Sequence, residues 1–598
     1  MFFQYQESRS YGEPQYLVQA LLDYVQKYPK SLLDAELMNI VTLGVAPYTD
    51  EKFGQNFRLN SFFISDNIRN AVNILKADYT PIFLSALLQL IRSGRIPIDV
   101  ALVQASPPDS DGILNLGISV DIVKAAAENA STLIVQANSF MPRIRGDGEM
   151  TIEDVDFFIP KDEPLLEYIE AVPGDIAQRI GKYVARIVED ESTIQVGHGS
   201  IPNAIVSSLS GKRHLGVHTE LLSDGLAGLM ENNVVDNSKK SINPNKTIAT
   251  FCMGTSKTYQ FINQNPDIEF RTIDYTNNPL VIAQNNRMTA INSALEIDLT
   301  GQATAESLGK TYFSGIGGQA DFMRGTVLAP GGKTILALPS LAENENASRI
   351  VPFLQEVAGV TLTRGDIHYV VTEFGIAYLH GKCIRERAMD LIAIAHPKFR
   401  SRLIEEAKKL HIIYPDQAFI PGEQGEYPEM LESSRITKTS LKVLLRLVKM
   451  SDEPLLKDFF YSLSEESMYQ RFFSARKDIP HDVLQNYVIV NYTIKMILLA
   501  IAEIDGKEII AGMGQYSINK NMHTADVALI VRDKCQNQGI GAVLLSYLTY
   551  LAKKQGLLGF TAEILQGNDP VFRLFEKMGF GISKKSDSGI IEMVAMFN

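Results

Sequence analysis

Cysteine is scarce in this chain: Cys252, Cys383 and Cys535 are the three among 598 residues, and they lie far apart. Three distant thiols cannot build a disulfide framework, so a stapled secreted fold is excluded and a reducing, cytoplasmic setting is expected. Also missing is the unbroken run of roughly 18 apolar residues that a membrane-crossing helix needs. The most apolar window, 496–504, is short and carries Glu503. The opening MFFQYQESRS puts no basic stretch ahead of an apolar run, so it does not read as a signal peptide. The histidines show no zinc spacing beside a cysteine pair. His214 and His218 form an HxxxH, but they flank a strand-like LGV, where four residues span roughly 13 Å, so no metal site is expected. Excess positive charge is absent as well. A net charge of −12 argues against nucleic acid or an anionic membrane as the main partner.

What is present is a globular composition, with 45% hydrophobic and 21% charged residues. Single cores stop growing near roughly 250–300 residues, which predicts about three domains. Apolar runs, Gly/Pro turns and amphipathic helices alternate almost throughout. Residues 98–105 read as a buried strand before the loop SPPDSDG, 122–129 as a helix and 131–135 as a further strand. Such alternation predicts parallel α/β layers. No tandem repeat or low-complexity tract interrupts it. A boundary is expected near Gly174, after an acidic, Pro-containing stretch, and a clearer one at 414–437, rich in Pro, Gly and Glu. Beyond it a strand is expected at 441–446 and a helix near 453–463.

The segment 193–231, TIQVGHGSIPNAIVSSLSGKRHLGVHTELLSDGLAGLME, parses as strand (193–196), Gly-bracketed turn, helix from Pro202, strand (215–217) and helix from about Ser223. Proline suits a first helical turn. Gly197 and Gly199 permit a sharp strand-to-helix turn and close backbone approach to a ligand. Free amides at that helix start favour an anion or a carbonyl oxygen. Glu220 falls just past a strand's carboxyl end, where ligands bind in open α/β sheets. On spacing alone, a carboxylate there is more often an exposed cap.

Ordered motifs then carry a family resemblance from about residue 30 to 412. They are VTLGVAPYTD (41–50), ADYTPIFLS (77–85), PIDVALVQASPPDSDGILNLGISVD (97–121), GHGSIPNAI (197–205), HLGVHTELLSDG (214–225), SGIGGQADFMRG (314–325) and YVVTEFGIAYLHGK (369–382). The sequence resembles the acetyl-CoA hydrolase/transferase family, especially 4-hydroxybutyrate and butyryl-CoA:acetate CoA-transferases. The resemblance implies two similar open α/β domains, here 1–180 and 181–425, with the active site between them. It implies that Glu220 of the H-[ST]-E segment is the nucleophile and that Gly197, His198, Gly199, Ser200 and Ile201 contact coenzyme A. His198 departs from the aliphatic residue usual in the family. Gly317 and Gly318 fall in the family's CoA and oxyanion region, and Leu295 at a CoA-contacting backbone position. Glu296, with Asp298 on the same face of a possible strand, is a rival carboxylate, read as supporting the site rather than as the nucleophile.

The C-terminal segment TADVALIVRDKCQNQGIG (524–541) leads into a helical AVLLSYLTYLAKKQG. Gln536-x-x-Gly539-x-Gly541 follows a strand and opens a helix whose amides can cradle a pyrophosphate. GFTAEIL (559–565) reads as the next strand and 568–580 as a helix and turn. This succession resembles the GNAT acetyltransferase family over 436–598, an α+β domain. SLSEESMYQRFF (462–473) resembles modules that act on protein lysines. The resemblance implies that Gln536, Gly539 and Gly541 bind acetyl-CoA. Asp526 is the candidate general base, with Glu563 on the next strand and Cys535 a neighbour rather than a nucleophile.

The reading is a CoA-transferase with a fused acetyltransferase. CoA thioesters and small carboxylates are its substrates, no cofactor is permanently bound, and a homo-oligomer is expected. Two alternatives stay open: an acyl-CoA hydrolase on the same scaffold, and a C-terminal domain that senses acyl-CoA without catalysis.

Overall fold

The structure is a computed structural model that describes residues 12–40, 47–169, 172–342, 346–415, 431–449, 452–473, 481–488, 495–519, 523–587 and 589–597. Its chain divides into two compact units, Met1–Ala395 and His396–Asn598. Among the described residues no helix is long and apolar enough to cross a membrane.

The first unit is built on parallel sheets. Strands Ala35–Asn39, Phe57–Ser61 and Ala77–Tyr79 run parallel, as do Ile98–Ala105, Ala130–Ala137 and Phe157–Pro160. A larger sheet orders Gly216–Val217, Thr193–Val196, Met288–Ser293, Lys333–Ala337 and Tyr369–Thr372 in parallel, with Gly375–Tyr378 antiparallel at the edge. Thr193–Val196 is buried at all four positions, as expected of a strand covered on both faces. Helix Asp175–Ile187 buries Ala177, Ile180, Gly181, Val184 and Ile187, the spacing of one helical face. Gly174, near which a boundary was expected, is the N-cap of this helix and lies within the first unit.

The second unit holds one eight-stranded sheet. Its order is Ser433–Ile436, Lys442–Leu447, Lys495–Ile504, Lys507–Asn519, Thr524–Val531, Gly559–Leu565, Ile590–Met596 and Gly581–Asp587. Every pairing is antiparallel except Thr524–Val531 with Gly559–Leu565. Helix Ile540–Lys554 packs on the sheet, with Ile540, Leu544 and Leu548 in one core cluster with Leu445, Leu498 and Phe560. Leu456, Phe459 and Phe460 of helix Glu453–Tyr461 join Ile497, Leu499 and Ile510 in another.

Several expected elements appear with small shifts in their ends. The strand at 441–446 is Lys442–Leu447, and the helix near 453–463 is Glu453–Tyr461. The helix read from Pro202 begins at Ser200. The expected linker lies outside the described residues over 416–430. Its last residues, Ser433–Ile436, form a strand rather than a connection, because they pair along Lys442–Leu447.

Candidate active sites

In the first unit, parallel register brings several functional side chains to the carboxyl ends of neighbouring strands. Val196 pairs with Ile291, so Gly197 leaves its strand beside Asn292, which is still paired with Leu336 on the next strand. The Gly197 N–H donates to Ile291 O at 2.9 Å, and the chain then turns sharply. Gly199 makes the turn at φ 118° and caps helix Ser200–Ser208, a conformation that a side chain would strain. A cavity of about 670 Å³ opens there. Gly197, His198, Gln195, Asn292, Glu220, Gly317 and Gly318 are among the residues lining it. The His198 ring packs edge-on against Tyr168 at 4.7 Å. Gln195 and Asn292 exchange amide hydrogen bonds of 3.1 and 2.9 Å.

Glu220 follows Gly216–Val217 and is held from both ends. Its carbonyl accepts from the Thr250 and Phe251 N–H groups, at 3.0 and 3.2 Å. Its carboxylate Oε2 accepts from Asn277 Nδ2 at 2.7 Å. The Asn277 amide is oriented in turn, since Thr276 Oγ1 donates to Asn277 Oδ1 at 2.9 Å. His218 Nε2 lies 2.9 Å from the carbonyl oxygen of Thr276. A carbonyl can only accept, so that nitrogen carries the proton. Burial, with Lys240 nearby, pushes the His218 pKa down to about 3, so the ring is neutral. A chain of contacts therefore runs from His218 through Thr276 and Asn277 to Glu220.

Gly318 closes the other side. A β-carbon there would overlap Glu220 Oε2 and crowd Asn277 Nδ2. Gly318 is the N-cap of helix Gln319–Leu328, whose first amides have no intrahelical acceptor. Asp321, in the first turn, accepts from the Ser85 N–H at 3.1 Å and Ser85 Oγ at 2.7 Å. Burial raises the Asp321 pKa to about 6. Asp121 accepts from Ser119 Oγ at 2.7 Å and is also raised by burial. Burial raises Glu220 to about 7; the Asn277 hydrogen bond opposes the rise, and the Asp321 and Asp121 charges add to it. A carboxyl tuned to neutrality in a cavity suits an acid–base or nucleophilic task.

The other sequence candidates are placed as follows. Gly199, Ser200 and Ile201 form the helix start, while Gly197 and His198 supply the cavity lining from that loop. Leu295 does not line the cavity, and its backbone is already engaged: its N–H donates to Thr304 O at 2.9 Å and its carbonyl accepts from Arg349 Nη1 at 3.0 Å. Glu296 and Asp298 are both buried in strand Glu296–Asp298, but neither lines the cavity. Gln355 donates to Glu296 at 3.2 Å. Asp298 Oδ1 accepts from Thr300 and the Gly301 N–H, holding a turn. His214 and His218 face different partners, His214 pairing with Asp236 at 2.6 Å.

In the second unit the parallel pair parts early. Thr524–Asp526 pair with Gly559–Thr561, and no pairing continues beyond. The diverging residues Val527, Ala528 and Leu529 face Ala562, Glu563 and Ile564 across a cavity of about 250 Å³, which Gln470, Arg471, Asp526 and Asn568 also line. Gly539 caps the long helix Ile540–Lys554 at φ 93°. Lys438 lies against it, so that a β-carbon on Gly539 would come within 3.2 Å of Lys438 Cγ. Gln536 Nε2 donates to Ser467 Oγ and Val531 O, both at 3.3 Å, which braces the loop from within. Asp533 accepts from the Ser464 N–H, Ser464 Oγ and Ser467 Oγ at 2.8, 2.9 and 2.7 Å, tying helix Glu465–Phe472 to the same loop. Partial burial and the Glu563 charge raise the Asp526 pKa, while Arg471 opposes them. Cys535 is buried and its thiol is pushed up by that burial, which fits a packing neighbour.

Asn277 and Lys438 lie outside the quoted motifs and were not legible as site residues. Asp121 ends the 97–121 motif and Asp321 sits inside GQADF, signals that could have been used.

Fold and site define an α/β protein with a poised carboxyl at its strand ends, joined to an α+β unit with a splayed parallel pair and a helix-start loop. The chain belongs to the acetyl-CoA hydrolase/transferase family, whose N-terminal domain model matches residues 5–170 and whose C-terminal domain model matches 254–407. The acetyltransferase (GNAT) family model matches 458–580. A 4-hydroxybutyrate coenzyme A transferase of Clostridium kluyveri is 44% identical over 398 residues, 67% of this chain and 92% of its own. A succinyl-CoA:acetate/propanoyl-CoA:succinate CoA transferase of Fasciola hepatica is 41% identical over 397 residues, 66% of this chain and 82% of its own. Among solved structures, RipA from Yersinia pestis matches with TM-score 0.64 and 32% identity, over 69% of this chain and 94% of RipA.

Proposed function

We propose that the first unit is an acyl-CoA:carboxylate CoA-transferase in which Glu220 is the nucleophile and coenzyme A thioesters are substrates, not resident cofactors. The observation that carries this reading is the Glu220 carboxylate, facing a cavity, aligned by Asn277 and backed by Gly318. The carboxylate attacks the acyl carbonyl and the C–S bond breaks, giving an acyl-glutamyl anhydride and CoA thiolate. The thiolate attacks the glutamyl carbonyl, expelling the acyl group as a free carboxylate and leaving a glutamyl-CoA thioester. A second carboxylate reverses both steps, so no proton is gained or lost overall. Negative charge develops on a carbonyl oxygen at each addition. The free amides at the start of helix Gln319–Leu328 are suited to receive it. The names of the relatives support a short acyl group and a small carboxylate acceptor, such as acetate or 4-hydroxybutyrate.

The test is to incubate the protein with acyl-CoA, reduce it with borohydride and map the modified peptide. Modification at Glu220 is expected; modification at Glu296, or none in active protein, would overturn the assignment. Thiol release that requires acetate marks a transferase. Release independent of acetate marks a hydrolase, which differs only in admitting water to the same intermediate.

The second unit, in this reading, holds acetyl-CoA with its pyrophosphate at the 536–541 amides and its thioester between the splayed strands. It transfers acetyl to a primary amine such as a protein lysine, with Asp526 accepting the proton. Binding of acetyl-CoA without transfer to any amine would mark a sensor instead.

A further inference from the structure

The acceptor side of the second unit's cavity carries a cation that a plain amine would not need. Arg471 lines that cavity together with residues of the splayed strands. Among the described residues its buried Nε has no hydrogen-bond partner and no carboxylate forms a close ion pair with it, although the Asp526 charge acts on it. A half-buried guanidinium whose Nε lacks a hydrogen-bond partner is costly, and a planar donor fork is shaped for a carboxylate. Its position is not an accident of a loose surface. Helix Glu465–Phe472 carries it, Phe473 ends the helix in the left-handed region at φ 55°, and Asp533 fastens the helix start to the acetyl-CoA loop through three hydrogen bonds. Asp526 and Glu563 line the same cavity from the two diverging strands. The cavity therefore offers two carboxylates and one cation whose Nε lacks a hydrogen-bond partner, within about 250 Å³.

We propose that the acetyl acceptor is a primary amine with a carboxylate beside it, the amine facing Asp526 and Glu563 and the carboxylate pairing with Arg471. The inference rests on the acetyltransferase reading and narrows it to a class of acceptor. The amine, having lost a proton to Asp526 or Glu563, attacks the thioester carbonyl. A C–N bond forms, the C–S bond breaks, and the CoA thiolate leaves with the electron pair. The amide nitrogen gives up its second proton, which the thiolate takes. The carboxylate takes no part in this step; it holds the amine in place. Two sources supply the chemistry, a free amino carboxylate and a lysine side chain with an acidic neighbour.

The full-length protein would be assayed with acetyl-CoA by mass spectrometry of the acetylated amine. One arm compares β-alanine with ethylamine and γ-aminobutyrate with propylamine. The other compares lysine peptides flanked by glutamate with the same peptides flanked by glutamine. A hydrogen-bonded contact to an ionised group makes a preference of about tenfold or more in kcat/KM expected in at least one arm. R471M should bring that ratio close to one and R471K should retain part of it. Because the ratio is taken within one preparation, partial misfolding of a variant cancels. Simple amines and neutral peptides acetylated as fast as their acidic partners, or a preference that R471M leaves intact, would overturn the inference and leave the acetyltransferase reading standing. Acetylation of no amine in either arm would overturn both.

Discussion

Gly318 and Glu220, distant in sequence, are so close in the fold that a single β-carbon on Gly318 would occupy the place of the Glu220 carboxylate oxygen. Gly318 has φ −83°, so an alanine would meet no backbone strain there. Gly318→Ala should therefore keep the fold and displace the nucleophile. Misplacing a reacting group by roughly 1 Å can cost about a hundredfold, so kcat should fall at least that far while the thermal melt stays near wild type. Near-wild-type turnover of Gly318→Val would refute the contact.

Asn277 holds Glu220 across 57 residues of sequence, and its hydrogen bond opposes the rise in the Glu220 pKa. Asn277→Ala removes a bond to a charged group, worth roughly 1.5–3 kcal/mol, so kcat/KM at pH 7 should drop about ten- to a hundredfold. The acid limb of the pH–kcat/KM profile should also move to higher pH, because the remaining influences all raise the carboxyl. A loss with an unmoved acid limb would mean that Asn277 serves packing alone.

The same carboxyl should make stability fall with rising pH. The Glu220 pKa is raised from 4.5 to about 7, so the folded chain binds this proton more tightly than the unfolded chain. The stabilisation is complete below 4.5 and is lost as pH climbs to about 7. Glu220→Gln carries no such charge. Between pH 5.5 and 8 the melting temperature of the first unit should therefore fall further in the wild type than in Glu220→Gln, as read by calorimetry. Parallel melting curves would contradict the raised pKa.

For the second unit, Gly539→Glu should abolish acetyl transfer to amines, since the substitution strains a left-handed residue and sets a negative charge where phosphates are to bind. CoA transfer by the first unit should persist in the same preparation. Asp526→Asn should also stop acetyl transfer but leave acetyl-CoA protection of the second unit's melting transition intact. Retained transfer in Asp526→Asn would shift the base role to Glu563.

The sequence by itself determined where the strands, turns and helices lie wherever local chemistry is strong. GFTAEIL became the strand Gly559–Leu565, and the glycine turn at 197–199 became a helix start at Ser200, because β-propensity, glycine's freedom and helix capping act over a few residues. The H-T-E segment likewise placed Glu220 just past a strand's end. Local pattern could not say which amide reaches its carboxylate, that Gly318 abuts it, or that Asp121 and Asp321 crowd its charge, since those partners come from other elements of the fold. Nor could it distinguish Glu296, a carboxylate with the right periodicity whose strand keeps it off the cavity wall. Tertiary structure decided these points, because burial and the approach of distant segments fix both the geometry and the dielectric surroundings of a charged group, and neither quantity is a property of a short stretch of chain.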